Sequence, residues 1–151
     1  MTAGLLLALA SCAFGQVDQI QLPTNGRIIV SVTVAPWVMK PCSRQRPQGA
    51  TGYWVPTESE INLLESRLVT FLKSYRSEEV PPNTSYNRQY AGFLRGSRRY
   101  IYGNFFPSKG KISRLDRDQY MQMCDNGPEY WGIVYDIETG KFSELAVNPE
   151  I

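Results

Sequence analysis

The chain has 151 residues, with 16 Lys and Arg against 14 Asp and Glu for a formal charge of +2 at pH 7, and it contains no histidine. The missing imidazole excludes Ser-His-Asp and Cys-His catalysis, His-ligated zinc and the commonest general base at neutral pH. Once a leader is removed, the length supports one domain around one hydrophobic core.

An apolar run from Leu5 to Ala10, followed by small residues, reads as the h-region of an export signal. It is too short to cross a hydrocarbon core of about 30 Å as a helix. Residues 1–15 are therefore expected to be a signal and residues 16–151 a single α+β domain. Two processing routes fit. Leu9-Ala10-Ser11-Cys12 resembles a bacterial lipobox, which makes Cys12 a lipidation candidate and the lipid the only link to a membrane. Ala13-Phe14-Gly15 before Gln16 instead has the small-x-small pattern of an ordinary secretory cleavage site. Met1 to Gly4 lacks Lys and Arg, so either the signal is atypical or the true start lies upstream. Either route places the mature protein in the periplasm or on the outer surface of a bacterial membrane.

Both routes leave Cys42 and Cys124 as an even pair in an oxidising compartment, where a disulfide is the expected state. Lys40-Pro-Cys-Ser43 and Met123-Cys-Asp-Asn-Gly-Pro128 are loop-like, as a staple between distant loops requires. No CxxC is present, which argues against a thioredoxin-type redox site.

Arg27 to Val34 is rich in β-branched residues between Asn25-Gly26 and Pro36, and predicts a strand. Trp37 to Tyr53, with Pro41, Pro47, Gly49 and Gly52, predicts a long loop. Thr57 followed by Glu60 is a capping box that opens a helix over about 57–75. Ile61, Leu64, Leu68, Phe71, Leu72 and Tyr75 then form one apolar stripe at helical spacing, ended by Pro81-Pro82. Arg88 to Arg95 and Arg98 to Phe106 flank Gly96-Ser97, the Gly-first connection of a type II′ hairpin. Residues 107–128 read as polar loop with a short helical turn near 115–123. Glu129 to Asp136 and Lys141 to Val147 make a second hairpin around Gly140. Ile29, Val32, Val34, Ile61, Leu64, Leu68, Phe71, Phe93, Ile101 and Ile133, with some of Phe142, Leu145 and Val147, are the expected core.

The element order is β-α-β-β-β-β, a single long helix packed on an antiparallel sheet. This topology resembles the cystatin-like fold, in which a sheet wraps around one long helix. The nearest counterpart of that family's Gln-x-Val-x-Gly signature is Gln89-Tyr-Ala-Gly-Phe93, which is one residue short, lacks the valine and lies within a predicted strand. Protease inhibition is therefore not carried over from the resemblance.

Charge is polarised along the chain. Residues 86–117 hold eight basic side chains against Asp116, and residues 118–151 hold seven acids against Lys141. If the two segments pair in one sheet, they complement each other. In Arg98 to Phe106, strand alternation sends Arg98, Tyr100 and Tyr102 to one face and Arg99 to the other. Such a hairpin suits capture of an envelope protein or an anionic glycan, and it suits cross-strand pairing within the sheet better still. Trp37 and Tyr53-Trp54 are either lids on the core or binding anchors. Arg98, Arg99, Tyr100, Tyr102, Trp37 and Trp54 are thus the candidate binding residues. Asp116 with Asp118, and Asp125 with Glu129, are the carboxylate pairs left for acid/base chemistry. No catalytic residue, metal, cofactor or nucleic-acid partner is assigned. The expected function is non-catalytic binding in the cell envelope, as an inhibitor or accessory subunit among the roles it suits. The alternatives are a carboxylate-based hydrolase acting on an envelope substrate and a structural lipoprotein.

Overall fold

The structure, a computed structural model, describes residues 26–75, 80, 86–108 and 116–150. The expected signal and Cys12 lie outside them. Eight elements follow in order: β1 (Arg27–Ile29), α1 (Ala35–Val38), β2 (Gly52–Trp54), α2 (Glu58–Ser74), β3 (Tyr86–Arg95), β4 (Arg98–Pro107), β5 (Trp131–Asp136) and β6 (Phe142–Val147). The fold is mixed α+β around one six-stranded sheet of order β1-β3-β4-β5-β6, with β2 also paired to β3.

α2 forms where its capping box predicts. The Thr57 side chain accepts from Glu60 N–H, and Glu60 Oε2 accepts in return from Thr57 N–H at 2.9 Å. Ile61, Leu64 and Leu68 are buried on the inward stripe, with Phe71 and Leu72 half-buried beside them. They pack on the sheet face made by Tyr90, Ile101, Phe105, Trp131, Ile133 and Tyr135. At its centre the Phe105 and Trp131 rings stack 3.8 Å apart, with Tyr86 edge-on to both. The β3–β4 hairpin turns at Gly96, the only positive φ of that turn at 60°, as type II′ requires.

The order β-α-β-β-β-β needs correction. β1 is three residues long, not eight, and it runs parallel to β3. Its continuation along β3 is blocked, because β2 takes the Gly92 to Leu94 stretch of the same β3 edge. The chain instead turns at Ser31, whose carbonyl accepts from Val34 and Ala35 N–H, and enters α1 with a proline in its first turn. Strand propensity from Val30 to Val34 loses to this competition for one edge. Val32, expected in the core, consequently stands 44% exposed. The expected loop 37–53 contains the end of α1 and the start of β2, and residues 116–123 form no helical turn.

The sheet's second face is also covered. Val30, Val34, Ala35, Val38 and Met39 pack against Ala91, Phe93, Tyr102 and Val134. Gly132 lets the Tyr102 ring lie across β5, since a Cβ there would collide with it. No helix among the described residues is long and apolar enough to cross a membrane.

Candidate binding face

The second sheet face carries three buried amides: Gln89 and Asn148 at 0% and 1% exposure, and Asn104 at 5%. Polar groups this deep must find partners. They find them in the coil 119–125, which crosses the face without forming a strand. Gln89 Nε2 donates to Gln119 O, and its Oε1 accepts from Met121 N–H, both at 2.8 Å. Asn104 Nδ2 donates to Met121 O at 3.1 Å. Asn148 Nδ2 donates to Met123 O at 2.9 Å and to Asp125 O at 2.7 Å. Side-chain amides thus do for this coil what a neighbouring strand does for a ladder.

Arg44 sets the direction of those amides. Its guanidinium donates to Asn104 Oδ1 at 2.5 Å, to Asn148 Oδ1 at 2.8 Å and twice to the Tyr102 hydroxyl at 3.0 and 3.2 Å. With both amide oxygens occupied by the fork, the NH2 groups must face the coil. Burial pushes the Tyr102 hydroxyl pKa up, and the neighbouring Arg44 charge and hydrogen bonds offset only part of that rise.

Two further ties close the coil against the α1 loop. Gln122 Nε2 donates to Lys40 O at 2.8 Å, and Asp125 N–H donates to Ser43 Oγ at 2.9 Å. Cys42 and Cys124 are joined in a disulfide across 82 positions, as expected. On the loop-entropy model such a bridge contributes up to about 4–5 kcal/mol.

Large apolar side chains stand exposed on this face among the polar Gln119, Gln122 and Lys40. Trp37 is 54% exposed and Tyr120 42%, their rings 6.1 Å apart and 21° from parallel. Val32 and Met123 are also exposed, and the Lys40 ammonium lies 5.4 Å from the Trp37 ring. Beside Trp37 and Met123 lies a slot of about 10 Å3, bounded by Arg44, Asn104, Met121 and Tyr130. Large side chains exposed on a rigidly anchored segment have the character of contact anchors.

The hairpin candidates are engaged within the fold. Tyr102 is 1% exposed, so its place is the core and not a binding surface. Arg98 pairs with Asp136 at 2.6 Å and Glu138 at 3.4 Å, and its guanidinium lies 5.8 Å from the Tyr100 ring. Arg99 pairs with Glu60 at 3.1 Å over the Trp54 ring, and Trp54 Nε1 donates to Phe93 O. Tyr100 stacks on Phe93 at 5.4 Å, with Arg95 above both rings and paired to Glu144 at 2.6 Å. Arg95 and Arg98 thus pair with acids of the C-terminal segment, whereas Arg88 and Arg99 take their partners, Glu65 and Glu60, from α2. Of the two carboxylate pairs, Asp116 and Asp118 are exposed in a turn where Asp116 Oδ1 accepts from Asp118 N–H. Asp125 sits in the coil at a positive φ of 60°. Among the described residues no group of three His, Cys, Asp or Glu is placed to hold a metal.

Sequence reasoning singled out Trp37 but not Tyr120, Lys40 or Met123. Gln89 and Asn104 carry a signal of their own, amides inside strands rich in large apolar residues, whereas Asn148, just past the end of β6, carries none. Comparison with protein-family models, with curated proteins and with solved structures gave no match.

Proposed function

We propose that the chain is an exported, non-catalytic binding protein that grips an envelope protein through the Trp37–Tyr120 ridge. The observation that carries this reading is the contrast between the ridge and its footing. A segment with no secondary structure is held by a disulfide and six side-chain hydrogen bonds from Gln89, Asn104, Asn148 and Ser43, yet its large side chains face water. Ordering a contact face in advance lowers the entropy cost of association, and Trp and Tyr are the side chains that concentrate binding energy. The Cys42–Cys124 bridge fits an oxidising compartment and so supports export, whether the mature chain is a lipoprotein or free in the periplasm. The layering of α2 on a sheet supports the cystatin-like resemblance at the level of architecture. The parallel β1–β3 pairing departs from an all-antiparallel sheet.

A photo-reactive phenylalanine analogue at position 120 tests the reading in the native envelope, with the same analogue at position 97 in the exposed β3–β4 turn as control. Cross-linking to a discrete protein from 120 and not from 97 is expected. Equal products from both positions, or none from 120, would remove the ridge.

A further inference from the structure

β1 and β2 lie end to end along the outer edge of β3, and the two ends of the sheet are treated differently. At the β6 end, a register shift between Gly132 and Val134 and a positive φ of 53° at Glu144 interrupt the edge. Such irregularities guard an edge strand against further pairing. β1 carries no bulge, proline or lysine. Its one charged side chain, Arg27, is drawn away to Glu58 and Glu65 of α2.

The main-chain groups of this edge can be followed one by one. Arg88 N–H donates to Gly26 O at 2.8 Å, and Val30 N–H donates to Tyr90 O at 3.0 Å. Residues 26, 28 and 30 therefore point to β3, and Arg27, Ile29 and Ser31 point outward. Ser31 N–H is taken by Arg117 O at 2.9 Å. The outward N–H and C=O of Arg27 and Ile29 have no partner among the described residues. They open on a groove of about 450 Å3 walled by Val55, Pro56, Glu58, Asp116 and Arg117.

We propose that this edge is a second recognition site, which takes an extended peptide segment of a protein partner as an added strand beside β1. Donors and acceptors that alternate along one side of a strand are matched in register by another extended main chain, the mode of strand addition. The Ser31–Arg117 bond shows that a main-chain carbonyl from another segment, here the turn at 116–119, already docks against this edge at its far end. The groove adjoins the ridge in the chain. Ser31 leads directly to Val32, and Arg117 leads in three residues to Tyr120. The inference rests on main-chain groups of β1 and not on the ridge, so either can fail without the other.

Residue-resolved amide hydrogen exchange on the intact protein tests it, with the blocked peptide acetyl-Thr-Val-Thr-Val-Thr-amide as probe. In the free protein the amides of Ile28 and Val30 should exchange slowly and those of Arg27 and Ile29 fast. Millimolar peptide should slow Arg27 and Ile29 by at least about tenfold, and the same peptide N-methylated at alternate residues should not. Slow exchange of Arg27 and Ile29 in the free protein would mean that another part of the chain already holds the edge, and would overturn the proposal. Unchanged exchange with peptide would do the same. Protection confined to Trp37 and Tyr120 would overturn the edge site and leave the ridge standing.

Discussion

Arg44 and Asn104 are 60 positions apart in the chain and 2.5 Å apart at their polar tips. That contact, repeated to Asn148, converts two ambiguous amides into directed donors and so pins the coil beneath Tyr120. Arg44→Ala would leave the Tyr102 hydroxyl and both amide oxygens without their donor, at a cost of about 2–4 kcal/mol in unfolding free energy. Arg46→Ala, two residues on and exposed, should change stability by less than about 0.5 kcal/mol. Urea denaturation separates the two, and equal midpoints would contradict the clamp.

On the opposite sheet face Glu65 is the counter-charge of a buried arginine. Its Oε1 accepts from Arg88 Nε at 2.6 Å and from the Tyr90 hydroxyl at 3.0 Å, while Oε2 accepts from Arg27 at 3.2 Å. Arg88 is fully buried, so Glu65→Gln removes a carboxylate bonded directly to that charge and should cost about 3 kcal/mol or more. Glu58 pairs with the same Arg27 from a side chain 69% exposed, and Glu58→Gln should cost under about 1 kcal/mol. Chemical denaturation of both variants checks the ratio.

Acid should weaken the fold through two carboxylates. Burial works to raise the Glu60 pKa, but hydrogen bonds from Thr57 and the charge of Arg99 prevail and hold it below the ordinary glutamate value. Burial likewise opposes the shift at Asp136, where bonds from Thr139 and Glu138 N–H and the charge of Arg98 prevail. A carboxylate depressed in the folded state stabilises above its unfolded pKa, and that contribution disappears as pH falls through the folded pKa. Melting temperature should therefore drop from about pH 5 downward. Glu60→Gln and Asp136→Asn should each flatten that acid limb while leaving its neutral-pH plateau lower than wild type. Parallel acid limbs in all three proteins would contradict the assignment.

The elements legible in the sequence were those whose causes are local. The Thr57–Glu60 capping box, the 3.6-residue stripe of α2 and the Gly96-Ser97 turn each act within a few residues, and each stands where the pattern put it. The alternation in β4 also held, which is why Tyr100 and Tyr102 share a face and Ile101 and Phe105 the other. What local pattern did not carry was competition. Val30 to Val34 has strand composition, but β2 holds the edge it would need, and no feature of either segment announces the other. The site was hidden for a related reason. Coil 119–125 is anchored by Gln89, Asn104 and Asn148, partners 23 to 32 positions away for Gln89 and Asn148, and only the sheet brings them together. Part of the charge complementarity could be read from composition, and the observed β4–β5 register realises it by setting Arg98 diagonal to Asp136 on one face.

The claim that the Trp37–Tyr120 ridge is the contact face is tested most directly by comparing three immobilised proteins against one native envelope extract: wild type, W37A/Y120A and R98A/R99A. Both ridge side chains are only about half covered, so W37A/Y120A should stay cooperatively folded with a modest drop in urea midpoint. A protein retained by wild type and R98A/R99A should bind W37A/Y120A at least about 30-fold more weakly, the loss expected when an aromatic hot spot is truncated. Equal retention by W37A/Y120A, or loss of the partner on R98A/R99A alone, would contradict the account.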